Sequence, residues 1–200
     1  EIASCLVGSE MCIRDRAKVA SLTQTREKLV QLRTVLKNKI NNLFASRFIN
    51  LKREELSSEK GLLKVLSYHF DAISDVELRV MVDQIRSLNR SIEELDKAIE
   101  DSGSKMDGFD NLTSVKGIGA KGASTLLSVI GNVNDFRSAK QLAAYIGIVP
   151  RVSDSNETVH HGRITKLGSK IARTTLVQCS LIAKRYNPYL HAFHERIKAR

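Results

Sequence analysis

The sequence predicts an all-α chain: a long antiparallel helical hairpin, then a compact helical domain with room for one short β-hairpin. Three observations predict it. Two apolar seams with heptad spacing fill the N-terminal half. Only 2 prolines punctuate 200 residues and Gly is modest at 11, which favours long helices over many short strands. A hydrophobic fraction of 42% is enough to build a packed core.

Residues 1–16, EIASCLVGSEMCIRDR, have neither a charged start before an apolar core nor a credible cleavage site, so they are a poor signal peptide. The stretch resembles translated sequencing-adapter read-through and is set apart from fold reasoning. The expectation is a natural chain that begins upstream of Ala17 and runs past Arg200 into a longer helical tail.

Residues 17–105 read as a helical coiled-coil spacer. Leu22, Leu29, Leu36 and Leu43 recur every seven residues, with Leu32 and Ile40 between them. Arg26, Lys28, Arg33 and Lys37 fall on other faces. A second seam runs Leu78, Met81, Ile85, Leu88, Ile92, Leu95, Ile99, alternating steps of three and four. The two predict long helices paired antiparallel. Between them Leu62, Leu63, Leu66, Phe70 and Ile73 predict a shorter helix, preceded by a polar loop at 54–60. Residues 101–105, DSGSK, read as a helix stop and linker. A heptad does not reveal whether its partner lies in cis or in trans. The segment is therefore either a spacer and dimerisation arm, giving a homo-oligomer through the coiled coil, or a bundle folded on itself.

Residues 106–200 differ in charge. Residues 111–200 hold 14 Lys+Arg against 4 Asp+Glu, and residues 1–110 hold 18 of each. The whole net charge of +10 thus sits in the C-terminal half. Localised positive charge draws polyanions by counterion release, and nucleic acid is the commonest of them. No apolar run approaches the ~18 residues of a membrane span. Cys5, Cys12 and Cys179 are odd in number and lack metal-ligand spacing, which suits a reducing cytoplasm. Cys179 reads as a small core residue.

Along this half, residues 112–127, LTSVKGIGAKGASTLL, predict two helices around a tight Gly117-Ile118-Gly119 turn. The glycines allow positive φ and close backbone approach. The N–H groups that follow open a helix, where the dipole favours an anion. Ile118 would anchor the turn, and Lys116 and Lys121 can meet phosphate. This resembles a helix-hairpin-helix motif, which grips DNA backbone without reading sequence; the alternative is a glycine-rich turn with no ligand. Residues 136–147 predict a helix ending at Gly147. Pro150 opens an extended stretch, and residues 151–162 form a polar loop or short hairpin. The last helix runs from about Ser169 to Arg185. His160 and His161 diverge in an extended chain with no third ligand, so they read as a surface pair and no metal site is expected. Tyr186 and Tyr189 are expected to pack rather than to stack on bases.

The run YIGIVP at 145–150, a serine five residues after its proline, GRITKLG at 162–168 and a helix carrying Arg173 together resemble the bridge-RNA-guided, DEDD-type insertion-sequence transposases. The order of spacer, glycine turn, serine loop and basic helix matches that family over residues 17–200, most specifically from Leu112 to Arg173. The resemblance implies an N-terminal RuvC-like domain with four acidic residues that holds Mg2+. It implies a guide RNA as a partner of the intact protein, and Ser155 as the catalytic nucleophile that cuts and rejoins DNA. Lys116, Gly117, Gly119, Lys121, Arg151, Arg163, Lys166 and Arg173 are the expected DNA-binding residues. The family usually has Ser-Gly where this chain has Ser155-Asn156; Asn tolerates left-handed geometry better than most residues, so the turn is expected to survive the change. No acidic quartet is evident in the sequence, so the chain alone is expected to bind DNA without cleaving it and to carry no cofactor of its own. The rival readings are a non-enzymatic DNA-binding module, an inactive transposase remnant, and a helical scaffold that binds no nucleic acid.

Overall fold

The computed structural model describes the backbone of residues 2–52, 55–155 and 158–199, and the side chains of residues 14–52, 55–151 and 162–199. The side chains of Ser155, His160 and His161, and Asn156 as a whole, lie outside the described residues. Eight helices occur among them: α1 (Ile2–Ala45), α2 (Glu59–Leu66), α3 (Ala72–Gly103), α4 (Phe109–Thr113), α5 (Ala120–Ile130), α6 (Ala139–Ile146), α7 (Lys170–Tyr186) and α8 (Pro188–Lys198). Strands β1 (Pro150–Ser155) and β2 (Thr158–Ile164) form one antiparallel pair. The all-α expectation and the single short β-hairpin both hold. The α1 backbone also runs through residues 2–16, the stretch set apart in the sequence. The chain divides into two compact units, residues 25–96 and residues 1–24 with 97–200. No described helix is long and apolar enough to cross a membrane.

Within residues 25–96, α1 and α3 run antiparallel. Arg26 pairs with Asp96, Arg33 Nη1 donates to Asn89 Oδ1 at 2.8 Å, and Arg47 Nη2 donates to Ser74 Oγ at 2.7 Å. Numbers rise along one helix as they fall along the other. The core lies toward the α2 end, where Phe44 meets Tyr68 and Phe70 edge-on at centroid distances of 5.2 and 5.1 Å. Ile40, Leu56, Leu62, Val65, Leu78, Met81, Val82 and Ile85 complete it. Such edge-to-face ring pairs add to the burial of apolar area.

The α3 seam holds: Leu78, Met81, Ile85, Ile92 and Ile99 are buried. The α1 seam holds in part and carries polar rungs. Leu22, Leu29, Leu36 and Leu43 are half-buried, with Leu36 and Leu43 packed against the core, and Leu32 is 55% exposed. The half-buried Arg26 and Arg33 and the buried Ile40 interleave with them, and the arginines reach polar partners on α3. The short helix also ends early. α2 stops at Leu66, Phe70 lies in the connection, and Ile73 opens α3 and is exposed. Asp71 Oδ1 accepts from the N–H groups of Ile73 and Ser74 at 3.2 and 3.0 Å, so it caps α3 and starts a new helix there. The Ser74 hydrogen bonds, with help from Arg47, hold the Asp71 carboxyl below its ordinary value. The loop expected at 54–60 is interrupted by a single 3-10 turn, Glu55–Ser57, and α2 already begins at Glu59.

In the other unit, Leu126, Ile146 and Ala172 are the buried centre, flanked by Leu112, Val129, Ile130, Leu142 and Leu176. Ser138 Oγ and Ser169 Oγ cap α6 and α7. The end of α3 lies backbone-close to α5: a Cβ on Gly103 would stand 1.9 Å from Ser124 Oγ.

The uneven burial along α1 makes a prediction. Phe44→Ala should destabilise the protein by roughly 3–5 kcal/mol, as for other buried aromatics. Leu32→Ala should change stability by no more than about 0.5 kcal/mol, as at exposed sites. Urea unfolding followed by circular dichroism separates the two, and equal losses would place Leu32 in the core.

Candidate nucleic-acid interface and serine hairpin

The glycine turn joins α4 to α5. Gly117 has φ 113°, and a Cβ there would stand 2.6 Å from the backbone nitrogen of Ala183 on α7. Two constraints, a positive φ and backbone contact with α7, therefore demand glycine at this position. Gly119 differs from expectation. Its φ is −83°, it is the N-cap of α5, and a Cβ would meet nothing within 4 Å. Only Gly117 needs positive φ; Gly119 leaves open space in front of the helix start. Lys116 is exposed, while Lys121 and Ile118 are half-buried, so Ile118 packs at the edge rather than in the core. Behind the turn, Gly122 lets α5 approach α7: a Cβ would stand 3.3 Å from Cys179 Sγ. Cys179 is buried as expected, and burial pushes its thiol pKa up.

The serine hairpin grows from a crossing of two backbones. Gly147 ends α6 with φ 78°, the left-handed C-cap that glycine favours. A Cβ on Gly168 would stand 2.1 Å from the Tyr145 carbonyl oxygen, and one on Gly147 2.7 Å from the Leu167 nitrogen. Lys166 N donates to Gly147 O at 3.1 Å, and Thr165 N donates to Val149 O at 2.9 Å. Arg173 fixes the crossing from α7, its Nη1 donating to Ile146 O at 2.8 Å and Gly168 O at 2.9 Å. The motifs YIGIVP and GRITKLG are thus the two halves of one joint.

From this joint β1 and β2 pair as Val152↔His161, Ser153↔His160, Asp154↔Val159 and Ser155↔Thr158, with a register shift between Pro150 and Val152. Ser155 ends β1 at the far end of the ladder. Arg151 and Arg163 lie at the root. Arg151 is about 13 Å of strand from Ser155, at ~3.3 Å per residue. Arg151, Arg163 and Lys166 are exposed. Arg151 Nη2 reaches Thr165 O at 3.5 Å, and Lys166 adopts φ 58°. The hairpin therefore gathers Arg151, Arg163, Lys166 and Arg173 near its root and carries Ser155 to its other end. Lys116, Gly117, Gly119 and Lys121 form a separate group at the α4–α5 turn.

Sequence reasoning missed the carbonyl clamp of Arg173, which took part of its guanidinium for structure. The glycines spaced across both motifs were the available signal. Tyr186 and Tyr189 also depart from expectation: they are 63% and 77% exposed and do not pack. Among the described residues no three His, Cys, Asp or Glu side chains are grouped so as to hold a metal ion.

Stability should separate the two turn glycines. Gly117→Ala should destabilise the fold well beyond ~1 kcal/mol, because alanine fits neither the φ nor the space. Gly119→Ala should leave stability unchanged or raise it by about 0.4–1 kcal/mol, through the unfolded chain. Thermal unfolding of both variants decides it; similar losses would mean that the turn is built otherwise.

Residues 109–195 match the transposase IS116/IS110/IS902 family. A probable family 20 transposase of Pseudomonas aeruginosa is 27% identical over 82% of this chain and 49% of its own length. The transposase for insertion sequence element IS1111A of Coxiella burnetii is 25% identical over 82% of this chain and 46% of its own. A pilin gene-inverting protein of Moraxella lacunata is 30% identical over 73% of this chain and 45% of its own. The chain spans a little under half the length of these relatives. From α4 into α8 the chain is thus similar to the transposase IS116/IS110/IS902 family.

Proposed function

We propose that this chain is the DNA-handling C-terminal region of a transposase, with Ser155 as the nucleophile for strand cleavage and rejoining. The match of residues 109–195 to a transposase family carries the reading. The relatives named for transposition and for pilin gene inversion support it. So does the charge: no acidic residue lies between Glu157 and Glu195, while Arg163, Lys166, Lys170, Arg173, Lys184 and Arg185 do. A surface of that kind gathers DNA through its phosphates.

The chemistry explains the use of a serine. Ser155 Oγ attacks the phosphorus of a phosphodiester and passes its proton to a base. The bond from phosphorus to one deoxyribose oxygen breaks, and that oxygen leaves protonated. The phosphoserine ester keeps the energy of the broken bond. A hydroxyl of a second strand then attacks the ester and releases Ser155. The α4–α5 turn, read as a helix-hairpin-helix, holds DNA backbone at the α5 N-terminus, where the helix dipole favours an anion. The open space before Gly119 suits such an approach. The acidic domain that the family resemblance implies would hold Mg2+, which would supply Lewis-acid stabilisation of phosphoryl charge. A guide RNA would select the site in the intact protein, and the long helices would join copies of it.

Two measurements test this. The 200-residue chain should shift duplex DNA at low salt, lose affinity steeply as salt rises, and leave the DNA uncut with Mg2+. Arg163→Ala and Lys166→Ala should each lower the salt slope by about 1; unchanged slopes would remove them from the interface. Joined to the N-terminal half of the Pseudomonas aeruginosa relative, residues 109–195 should form a covalent protein–DNA adduct that Ser155→Ala abolishes. An adduct that survives the substitution would rule out Ser155.

A further inference from the structure

The four tyrosines of the chain fall into two classes. Tyr68 packs against Phe44 and Phe70, and Tyr145 sits 5.3 Å from the Phe136 ring with its hydroxyl donating to Val129 O. Tyr186 and Tyr189 are 63% and 77% exposed, and neither ring meets another ring or a cation among the described residues. Exposing two large rings three residues apart leaves apolar area in water with nothing gained in folding.

The backbone that presents them is held firmly. Tyr186 is the last residue of α7, and Tyr189 lies in the first turn of α8. Asn187 between them donates its N–H to Ala183 O at 2.8 Å, while its Oδ1 accepts from Tyr189 N and Leu190 N at 3.0 and 3.3 Å. Pro188 fixes φ at the start of α8. The two Cα atoms stand at most ~11 Å apart, three virtual bonds of about 3.8 Å. Lys184 and Arg185 precede the elbow directly, and the nearest carboxylate along the chain on either side belongs to Glu157 or Glu195.

Exposed aromatic rings on a fixed backbone, next to cations with no carboxylate near them along the chain, suit unpaired nucleotides: bases stack on the rings while phosphates meet the charges. We propose that the α7–α8 elbow is a stacking platform for single-stranded DNA, with Tyr186 and Tyr189 as its two faces and Lys184 and Arg185 as its phosphate contacts. Duplex DNA keeps its base faces stacked internally and so gains nothing from the rings. The platform rests on the DNA-handling reading above, and it adds a site for unpaired strand, which cutting and rejoining must create.

The test uses the 200-residue chain and a labelled oligonucleotide of mixed sequence, as single-stranded DNA, as the same-length duplex and as the equivalent single-stranded RNA, followed by fluorescence anisotropy. Tyr186→Ala/Tyr189→Ala should weaken single-stranded DNA binding by about ten-fold or more and duplex binding by less than about two-fold. Tyr186→Phe/Tyr189→Phe should retain both, which a role for the hydroxyls would not allow. With no tryptophan in the chain, its emission is tyrosine emission, and single-stranded DNA should quench it in the parent and not in the alanine variant. Wild-type protein that binds both forms, both undiminished in the alanine variant, overturns the platform and leaves the DNA reading standing. Wild-type protein that binds no DNA overturns both. An effect confined to the RNA strand overturns the assignment to DNA.

Discussion

The hairpin that carries Ser155 depends on one close crossing of main chain. Tyr145 and Ile146 end α6, Gly168 passes over their carbonyls, and Gly147 turns the chain into β1. A side chain at Gly168 would occupy the place of the Tyr145 oxygen, and one at Gly147 would collide with Leu167 while having to adopt a left-handed φ. Close approach creates a second requirement: carbonyls crowded together need donors. Arg173 supplies them, one guanidinium nitrogen bridging Ile146 O and Gly168 O. Hydrogen bonds from a charged donor are roughly twice as strong as neutral ones. The joint thus ties α6, α7 and both strand ends together, and the ladder from Val152 to Ser155 extends from a fixed base.

A similar logic governs the α4–α5 turn. Gly117 is glycine because α7 lies against it at Ala183, and at Gly122 a Cβ would meet Cys179 Sγ in a tight contact at 3.3 Å. Gly119 alone is free of such pressure, with an ordinary φ and nothing where its Cβ would be. Glycines that look equivalent in the string GIGAKG therefore do different jobs. Two permit helix packing, and the third leaves an approach to the start of α5 unobstructed. A backbone-binding turn needs both properties: a rigid support behind and bare main chain in front.

Much of this was legible in the sequence, and the misses have identifiable causes. The α3 seam from Leu78 to Ile99 could be read because every seam position is apolar and its partner face is the protein itself. The α1 seam was read only in part because apolar spacing cannot show a polar rung: Arg26 and Arg33 face α3 through Asp96 and Asn89, between leucines of which Leu36 and Leu43 pack on the core. Phe70 and Ile73 looked helical by period, yet Asp71 between them is a capping residue, and the cap overrode the period. The ends of α6 and α7 were clear from Gly147 and Ser169, residues whose local chemistry sets a boundary. The Arg173 clamp was not legible, since its two acceptors are main-chain atoms whose meeting only the fold decides. The exposure of Tyr186 and Tyr189 was hidden for the same reason, because an apolar residue on a helix announces burial unless its neighbours in space are known.

The arrangement of charge completes the account. Arg151 and Arg163 stand at the hairpin root and Arg173 is engaged with carbonyls, so the cations of this region do not converge on the end of β1 where Ser155 lies. If the chain handles DNA as proposed, the stretch from Thr158 to His194, which holds no Asp or Glu, acts instead as a field that raises the local concentration of DNA. On the proposed reading this divides the labour. The helices hold the polyanion by many weak, salt-sensitive contacts, and the hairpin offers a hydroxyl at a distance from them. Activating that hydroxyl and stabilising the phosphoryl charge then fall to groups that approach from outside the hairpin. On that reading, a nucleophile kept apart from its activators would stay inert until those groups are brought to it, which would guard against unscheduled breakage of DNA.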